Sequence, residues 1–421
     1  MTARGQAGGD AGLLRHGTLM VVGTFAGALC NAGFHMVVGR TLPNAEYGAL
    51  VTMLGLILVV STPMLALQNT LAHFTAQFIL DGRPEEIRPL FRHWAGIFAG
   101  LGLGLVASAW FFRAPLAAVW SVPPRLIVLT FAVLAASLWM SLFQGLMQGL
   151  QRFAWLAWAP QAWGAVRLAL GAVFTIHVAA TAFTPVVAQG LGVLAVLALG
   201  LLAAVRLHLP PGAPGARPHA TYRYLGSALV CLGGYALLMN LDATLAKHYF
   251  DAETAGLFAK AATIARTAVF LPVPVAAALF PKVTSTGGMT DQSWRLLGRA
   301  LAFAGLLIAA VAGLCVAWPQ LPWTILYGPA APADAAAAVV YTRAMVLAAS
   351  PLALAYLLLN FEMAQRRFAW CYGLVPAGLA YLGGVALFHT HPLQIPAVLG
   401  AANLAGLALL VAGIARQRAR D

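Results

Sequence analysis

Long apolar stretches separated by short polar breaks run along the whole chain. An α-helix needs about 20 apolar residues to cross the hydrocarbon core of a bilayer, and the apolar stretches are close to or above this length. We therefore predict twelve transmembrane helices. Their approximate ranges are 17–39, 47–79, 94–112, 126–148, 154–179, 186–206, 225–249, 255–281, 298–318, 339–363, 368–388 and 395–415.

The composition agrees with a membrane protein. Of the 421 residues, 61% are hydrophobic and 9% are charged, and the mean hydropathy is +0.83. In a soluble domain about a quarter of the residues carry charge. The predicted helices leave no segment for a large aqueous domain, which excludes most classes of soluble enzyme. We therefore expect an all-α polytopic membrane protein that is not an enzyme and that binds no cofactor and no metal.

The basic residues are distributed unevenly between the two sets of predicted loops. With the N-terminus in the cytoplasm, the inner segments hold seventeen of the 25 lysines and arginines, and the outer ends hold five. Cytoplasmic loops carry such an excess of Lys and Arg, so we predict a bacterial cytoplasmic (inner) membrane protein with both termini in the cytoplasm. The net charge of +13 then reflects topology and anchoring to lipid headgroups, and it predicts no nucleic-acid partner.

Three pairs of similar segments recur at offsets near half the chain length. The sequence RFAW occurs twice, each time at a short inner turn, and two further pairs match more loosely near the outer side. The pairs are Arg152–Trp155 with Arg367–Trp370, Pro115–Trp120 with Pro322–Tyr327, and Arg40–Gly48 with His248–Gly256. Because the three pairs keep the same order and the same topological positions, they indicate a duplicated six-helix unit.

A duplicated unit of six helices enters the membrane twice in the same orientation, because six is an even number. We therefore predict two parallel six-helix repeats around a central cavity, related by an axis along the membrane normal. The N-terminal lobe is residues 1–207, the C-terminal lobe is residues 225–421, and the basic, Pro/Gly-rich segment 208–224 is a cytoplasmic linker. Transporters of this plan bind the substrate between the halves and expose it to each side in turn, so the fold favours a carrier.

Polar side chains recur on one face of several predicted helices. The residues with four-residue spacing are Asn31 and His35 in the first helix, Asn69 and His73 in the second, and Gln144 and Gln148 in the fourth. This spacing places each pair on one helix face. Such stripes favour helices that face a water-filled cavity, and the alternative is hydrogen bonding between neighbouring helices in a closed core.

Charged residues also lie deep in the predicted helices. The basic ones are Arg167, Lys260 and Arg266, and the acidic one is Asp242. A charge at the bilayer centre costs about 2.5 kcal/mol or more, so each is a candidate functional group. The excess of bases would attract an anionic headgroup, because a low dielectric strengthens each interaction. The alternative is an internal ion pair of Asp242 with one of the bases.

Three segments resemble the oligosaccharide and polysaccharide flippases, which belong to the multidrug/oligosaccharidyl-lipid/polysaccharide exporter superfamily. They are the outer turn RTLPNAEYG (Arg40–Gly48), the segment Asn240–Val283, and LPWTILYGP (Leu321–Pro329). The resemblance extends over essentially the whole chain. It implies a V-shaped pair of six-helix lobes with a cationic central cavity. It also implies translocation of a polyprenyl-pyrophosphate-linked oligosaccharide to the outer leaflet by alternating access.

The resemblance further implies roles for the deep polar residues. Arg167, Lys260 and Arg266 would neutralise the pyrophosphate while the lipid tail stays in the bilayer. The other substrate-binding residues would be Asn31, His35, Asn69, His73, Gln144, Gln148 and Asn240. Asp242, isolated among the bases, would gate or couple transport through protonation. The implied partners are the lipid-linked sugar and the glycosyltransferases or polymerase of the same pathway.

Two other functions stay open at this point. A drug or organic-cation antiporter of the same superfamily has the same architecture, but a cationic substrate would favour buried acids over buried bases. A membrane-embedded glycosyltransferase or polymerase would be expected to have a sizeable aqueous loop with paired carboxylates. In this chain Asp251 and Glu253 are the close outer pair.

Overall fold

The computed structural model describes residues 3–207, 210, 219–270, 291–365 and 367–418. These residues are almost entirely helical and include no strand, which confirms the predicted all-α fold class. The α-helices, numbered in chain order, are α1 (Ala3–Thr41), α2 (Asn44–Ser61), α3 (Met64–Leu80), α4 (Ile87–Phe111), α5 (Arg113–Trp120), α6 (Pro124–Gly149), α7 (Phe153–His177), α8 (Phe183–Arg206), α9 (His219–Asn240), α10 (Asp242–Tyr249), α11 (Ala252–Phe270), α12 (Asp291–Ala317), α13 (Gln320–Tyr327), α14 (Ala335–Ala364), α15 (Leu374–Leu387) and α16 (Gln394–Arg418). Short 3-10 helices, Pro84–Glu86 and Cys371–Gly373, precede α4 and α15.

Each predicted transmembrane helix overlaps helical structure. Among the described residues, eight stretches are long and apolar enough to cross a membrane, with α2 and α3 counted together, and the bent pair of α9 and α10 makes nine. The other three predicted spans contain α7 with 25 residues, α15 with 14 residues, and α11. The predicted span 255–281 continues past α11 into residues that lie outside the described ones. The chain is therefore a multi-span membrane protein.

Two of the predicted spans are broken. α2 and α3 are separated at Thr62 and Pro63, because proline has no N–H to donate and its ring clashes with the preceding turn. α9 and α10 meet at Leu241 with a bend of 51°. There the Asp242 carboxylate accepts a hydrogen bond from the N–H of Ala243 at 2.8 Å, and such local bonds compete with the helical backbone. The apolar pattern predicts a continuous helix in both places and does not indicate either break.

Two eight-residue helices, α5 and α13, were not predicted as helices. They contain the matched segments Pro115–Trp120 and Pro322–Tyr327. The two RFAW segments also have equivalent positions, since each follows a long helix, α6 or α14, at a short turn. The matched segments in α5 and α13 therefore adopt matching local structure, which supports the duplication of the chain. The RFAW segments share a position but differ in structure, since the first begins α7 and the second lies in a turn before a 3-10 helix.

The first of two compact units consists of Met1–Thr41, Met64–Ala117 and Pro123–Leu225. In this unit α1 packs along α7, and α7 packs along α8. α6 packs against α3, α4 and α8. Aliphatic side chains such as Leu138 and Val186, both 0% exposed, fill the interior between these helices.

The second compact unit consists of Leu42–Pro63, Ala118–Val122 and Gly226–Asp421. Its central helices are α11, which packs against α2 and α14, and α14, which packs against α12 and α16. α2 is therefore packed with helices that are far from it in the sequence. The lobes 1–207 and 225–421 and the linker 208–224 stay predictions, and most of the linker lies outside the residues described.

Candidate functional site

α1 and α7 pack closely because glycines lie in their interface. A Cβ atom added at Gly23 would lie 2.0 Å from the carbonyl oxygen of Ala157, and one added at Gly171 would lie 2.8 Å from the ring of Phe34. Small residues let two membrane helices approach in this way. The close approach brings the polar stripe of α1 to Arg167, which lies within α7.

Arg167 is held by side chains of α1. The residue is 3% exposed; its Nη1 donates to Oδ1 of Asn31 at 3.1 Å, and its Nη2 lies 3.4 Å from Nε2 of His35. The guanidinium carbon lies 3.7 Å from the ring centroid of Phe34 and 5.1 Å from that of Trp163. Cation–π contacts of this kind are worth about 0.5–2 kcal/mol. Because Arg stays protonated in proteins, these contacts orient a buried positive charge.

α3 and α6 carry the other selected polar residues of the first unit, and a hydrogen bond joins the two helices. Nε2 of Gln68 donates to Oε1 of Gln148 at 3.0 Å, and Gln68 is a residue that the sequence analysis did not select. A Cβ atom added at Gly145 would lie 2.8 Å from the carbonyl oxygen of Gln68, so the two helices touch beside this pair. The other selected side chains here are half-buried or exposed, and they are Asn69, His73 and Gln144.

In the second unit Asp242 forms an ion pair with Arg266. Nη2 of Arg266 donates to Oδ1 of Asp242, and the two side chains are 13% and 4% exposed. Of the two possibilities that the sequence left open, the structure has the internal ion pair. The gating role of Asp242 was argued from its isolation, and that premise is wrong because the carboxylate is paired. Arg266 no longer counts toward the surplus of deep bases.

The surroundings of this ion pair are closed within the second unit. Asn240 is 1% exposed, and its Nδ2 donates to the carbonyl oxygen of Ala236 at 3.1 Å. A cavity of about 10 Å³ lies among residues that include Asp242, Arg266 and Asn403. That volume is close to the space of one water molecule, so it holds no larger ligand.

Lys260 on α11 is held by residues of α2 and α13. Its Nζ donates to Oδ1 of Asn44 at 2.7 Å, and Nζ lies 5.8 Å and 5.4 Å from the ring centroids of Tyr47 and Tyr327. Nδ2 of Asn44 in turn donates to Oε1 of Glu253. The sequence analysis did not select Asn44, Tyr47 or Tyr327, although the segments RTLPNAEYG and LPWTILYGP contain them. These two segments therefore meet at Lys260.

The matched outer turns of the two halves touch each other beside Lys260. A Cβ atom added at Gly256 would lie 2.0 Å from the carbonyl oxygen of Asn44, and one added at Gly48 would lie 3.0 Å from Cα of Gly256. Each of these glycines ends its matched segment. The repeated glycine thus permits the close approach of α2 and α11 that places Asn44 within reach of Lys260.

No protein-family model matches the chain, and no curated protein matches its sequence. Solved structures match over nearly the full length. A multidrug resistance MATE family transporter of the MOP superfamily, in an inward-facing conformation, has a TM-score of 0.75 at 13% identity, with 93% of this chain and 95% of that chain covered. The lipid II flippase MurJ, in an inward closed conformation, has a TM-score of 0.74 at 10% identity, with 94% and 87% covered.

A MOP superfamily transporter from Pyrococcus furiosus, described as having a binding pocket of reverse polarity, has a TM-score of 0.63 at 12% identity, with 97% and 94% covered. At these identities the likeness shows the fold. The chain has the fold of the MOP-superfamily transporters, in which twelve helices form two repeats. The superfamily fold expected from the sequence is confirmed, and the oligosaccharide flippase family within it stays a prediction.

Proposed function

We propose that this protein is a transporter that moves a polyprenyl-pyrophosphate-linked oligosaccharide across the bacterial cytoplasmic membrane by alternating access. The fold supports transport, because the matching structures described above are transporters. MurJ is a lipid II flippase, so the fold is compatible with a lipid-linked substrate. The observation that carries the choice of substrate is the buried, oriented guanidinium of Arg167.

Arg167 would bind the pyrophosphate. Its planar group of N–H donors matches two phosphate oxygens at once, and a charge-assisted hydrogen bond is stronger than a neutral one. Asn31 and His35 hold the guanidinium in one orientation in this structure. We infer that they position Arg167 before the substrate arrives and then share its N–H groups with the pyrophosphate.

The polar residues of α3 and α6 would bind the sugar. Side-chain amides both donate and accept hydrogen bonds, as sugar hydroxyls require. The residues in this role are Asn69, His73, Gln144 and Gln148, of which His73 and Gln148 are exposed. Asn240, Asp242, Lys260 and Arg266 are engaged within the second unit. These four side chains would reach the substrate only after their present hydrogen bonds and ion pair had broken.

Reconstitution into liposomes tests the proposal. A fluorescent polyprenyl-pyrophosphate-linked oligosaccharide is included in the bilayer, and an impermeant reductant added outside measures how fast the lipid reaches the outer leaflet. We expect flipping well above that of protein-free liposomes. Arg167→Ala should slow flipping by about tenfold or more, because it removes charge-assisted hydrogen bonds to the headgroup.

Arg343→Ala is the matched control, since Arg343 is an exposed arginine on α14. It should flip the lipid as fast as the unaltered protein. The proposal fails if the unaltered protein gives no flipping above the protein-free rate, or if Arg167→Ala flips the lipid at the unaltered rate.

A drug or organic-cation antiporter is the second candidate function. The MATE family transporter has the same fold, and the side chain of Glu362 on α14 is completely buried. A buried carboxylate is the group that a cationic substrate would favour. Ethidium transport driven by a proton gradient in the same liposomes, abolished in Glu362→Gln and without flipping of the saccharide lipid, would replace the first proposal by this one.

A further inference from the structure

A cavity of about 760 Å³ lies at one end of the first unit. It is bounded by the ends of α6 and α8, the start of α7 and a residue of α1. Its walls are largely apolar and include Met147, Leu199 and Leu202, while its basic groups are Arg152 and Arg206. Among the described residues, the twelve that line the cavity include no acid, and Arg152 and Arg206 give them a formal charge of +2.

The turn between α6 and α7 places Arg152 at this cavity. Gln151 has a φ of 54°, a left-handed conformation that reverses the chain over a few residues. Arg152 is exposed just before α7, and Arg206 is exposed in the last turn of α8. Nε1 of Trp155 donates to the carbonyl oxygen of Leu199 at 3.4 Å, which ties the start of α7 to α8 across the cavity wall.

The second RFAW segment is arranged differently. A Cβ atom added at Gly413 of α16 would lie 2.1 Å from the ring of Trp370, so this ring packs directly against the helix. The guanidinium carbon of Arg416 lies 5.5 Å from the centroid of the same ring. The arginine near the end of α16 therefore covers its tryptophan, whereas Arg206, near the end of α8, lines a cavity beside Trp155.

We propose that this cavity binds an anionic phospholipid, with the phosphate at Arg152 and Arg206 and the acyl chains along the apolar wall. The cavity lies where α6 and α8 end, which is the predicted cytoplasmic interface, and basic pockets between membrane helices on that side bind anionic headgroups. Guanidinium groups match phosphate oxygens. The apolar wall formed by Leu199 and Leu202 favours a ligand with an apolar part over a small soluble anion.

The residues that line this cavity include none of those assigned to the proposed transport site. Arg152 and Arg167 are fifteen residues apart at the start and within α7, which corresponds to on the order of 20 Å along the helix axis. The inference therefore depends on the membrane location of the protein and does not depend on the transported substrate.

Lipid binding to the purified full-length protein tests the inference. Native mass spectrometry counts the phosphatidylglycerol and phosphatidylcholine molecules that stay bound as each lipid is titrated. We expect phosphatidylglycerol to bind in preference to phosphatidylcholine. The double variant Arg152→Gln with Arg206→Gln should weaken phosphatidylglycerol binding by about tenfold or more, because two charge-assisted hydrogen bonds are lost.

The matched control is Arg416→Gln with Arg418→Gln, which removes the same charge from the end of α16. It should bind phosphatidylglycerol as the unaltered protein does. An equal loss of binding in the control would overturn the inference, since binding would then follow total charge. Equal binding of phosphatidylcholine, or displacement of phosphatidylglycerol by millimolar inorganic phosphate, would overturn it as well.

Ala203→Phe provides a second variant that keeps both arginines. Ala203 lines the cavity, and a phenyl ring at this position would fill the space of the acyl chains. We expect this variant to lose phosphatidylglycerol binding without any change in charge. Unaltered binding in Ala203→Phe would contradict the inference even if the double arginine variant did not fold.

Discussion

Arg167 and Arg266 carry the same charge but are held in different ways. Arg167 has an amide, an imidazole and aromatic rings around it, whereas Arg266 is bonded to the carboxylate of Asp242. A buried ion pair gains its energy only when both partners are present, because removing one leaves an uncompensated charge in the interior. The two arginines therefore respond differently to substitution.

Asp242→Asn should destabilise the protein strongly. The substitution leaves the guanidinium of Arg266 buried without its counter-ion, a change that costs about 3–5 kcal/mol in the free energy of unfolding. Thermal unfolding in detergent, followed by tryptophan fluorescence, measures the effect. Combining it with Arg266→Gln should cost less than the sum of the two single changes, and strictly additive losses would show that the pair does not form.

We expect the stability contributed by Asp251, at the start of α11, to depend on pH. Hydrogen bonds from the side chain and backbone of Thr254, and from the backbone N–H of Glu253, hold the pKa of the Asp251 carboxyl below its ordinary value. A carboxylate with a lowered pKa stabilises the fold above the ordinary aspartate pKa of about 3.9. This stabilisation is lost as the pH falls through the folded-state pKa.

Asp251→Ala should therefore lower the unfolding temperature at neutral pH and have no effect at a pH below the folded-state pKa. The neutral-pH loss corresponds to a helix N-cap, about 0.5–2 kcal/mol. Unfolding temperatures of both proteins between pH 3 and pH 7 provide the check. A difference between the proteins that stays constant over this range would contradict the capping role.

The sequence could show that deep charges exist, but it could not show which of them pair. Asp242 and Arg266 are 24 residues apart, and whether they meet depends on the bend at Leu241 and on the rotation of α11. The contact of Arg167 with Asn31 joins residues 136 positions apart. Four-residue spacing predicted the stripe on α1, but it could not indicate that α7 packs against that stripe.

The contact between α2 and α11 depends on glycine at both matched positions. Gly256→Ala should loosen this contact, because the new methyl group would lie 2.0 Å from the carbonyl oxygen of Asn44, and overpacking of this kind costs about 1–3 kcal/mol. Thermal unfolding again measures the loss. Gly298→Ala in α12 is the matched control, since a Cβ atom there would have no neighbour within 4 Å.

The control should unfold at the same temperature as the unaltered protein or slightly higher, because alanine is the better helix residue. An equal loss of stability in both variants would mean that the close approach of α2 to α11 does not determine the effect of Gly256→Ala.

Long apolar runs predicted the positions of the membrane helices because a helix in lipid needs about 20 apolar residues. The same pattern did not indicate the break at Pro63, since apolar residues continue on both sides of it. It did not indicate the bend at Leu241 either, although polar residues such as Asp242 and Lys247 follow there. α5 and α13 have eight residues each, too few for a span. The similarity between their sequences indicates duplication, but it does not indicate that either segment is helical.

α2 lies in one compact unit with α10 to α16, although it follows α1 directly in the sequence. No pattern within α2 could reveal this, because packing partners far apart in the chain leave no local signal. If the lobes 1–207 and 225–421 rock against each other during transport, as proposed, α2 and α11 belong to different lobes. Their contact would then have to open in each transport cycle.

A cross-link between α2 and α11 should therefore stop transport. In a cysteine-free background, Asn44→Cys with Glu253→Cys replaces two residues whose side chains are hydrogen-bonded. Oxidation should abolish flipping in liposomes, and a reductant should restore it. The control pair, Ala348→Cys with Gly400→Cys, joins two positions within the C-terminal lobe, where a Cβ atom added at Gly400 would lie 3.5 Å from Cβ of Ala348. This distance suits a disulfide, and the control should flip the lipid in both redox states. Flipping by the oxidised α2–α11 pair would rule out this opening.

The most direct measurement is equilibrium binding of a polyprenyl-pyrophosphate-linked oligosaccharide to the purified protein, compared with the same lipid carrying a neutral headgroup. We expect tighter binding of the pyrophosphate lipid, and we expect this preference to be lost in Arg167→Gln while the neutral lipid binds as before. Equal affinity for the two lipids, or a pyrophosphate preference that survives in Arg167→Gln, would contradict the role of Arg167 as the group that binds an anionic headgroup.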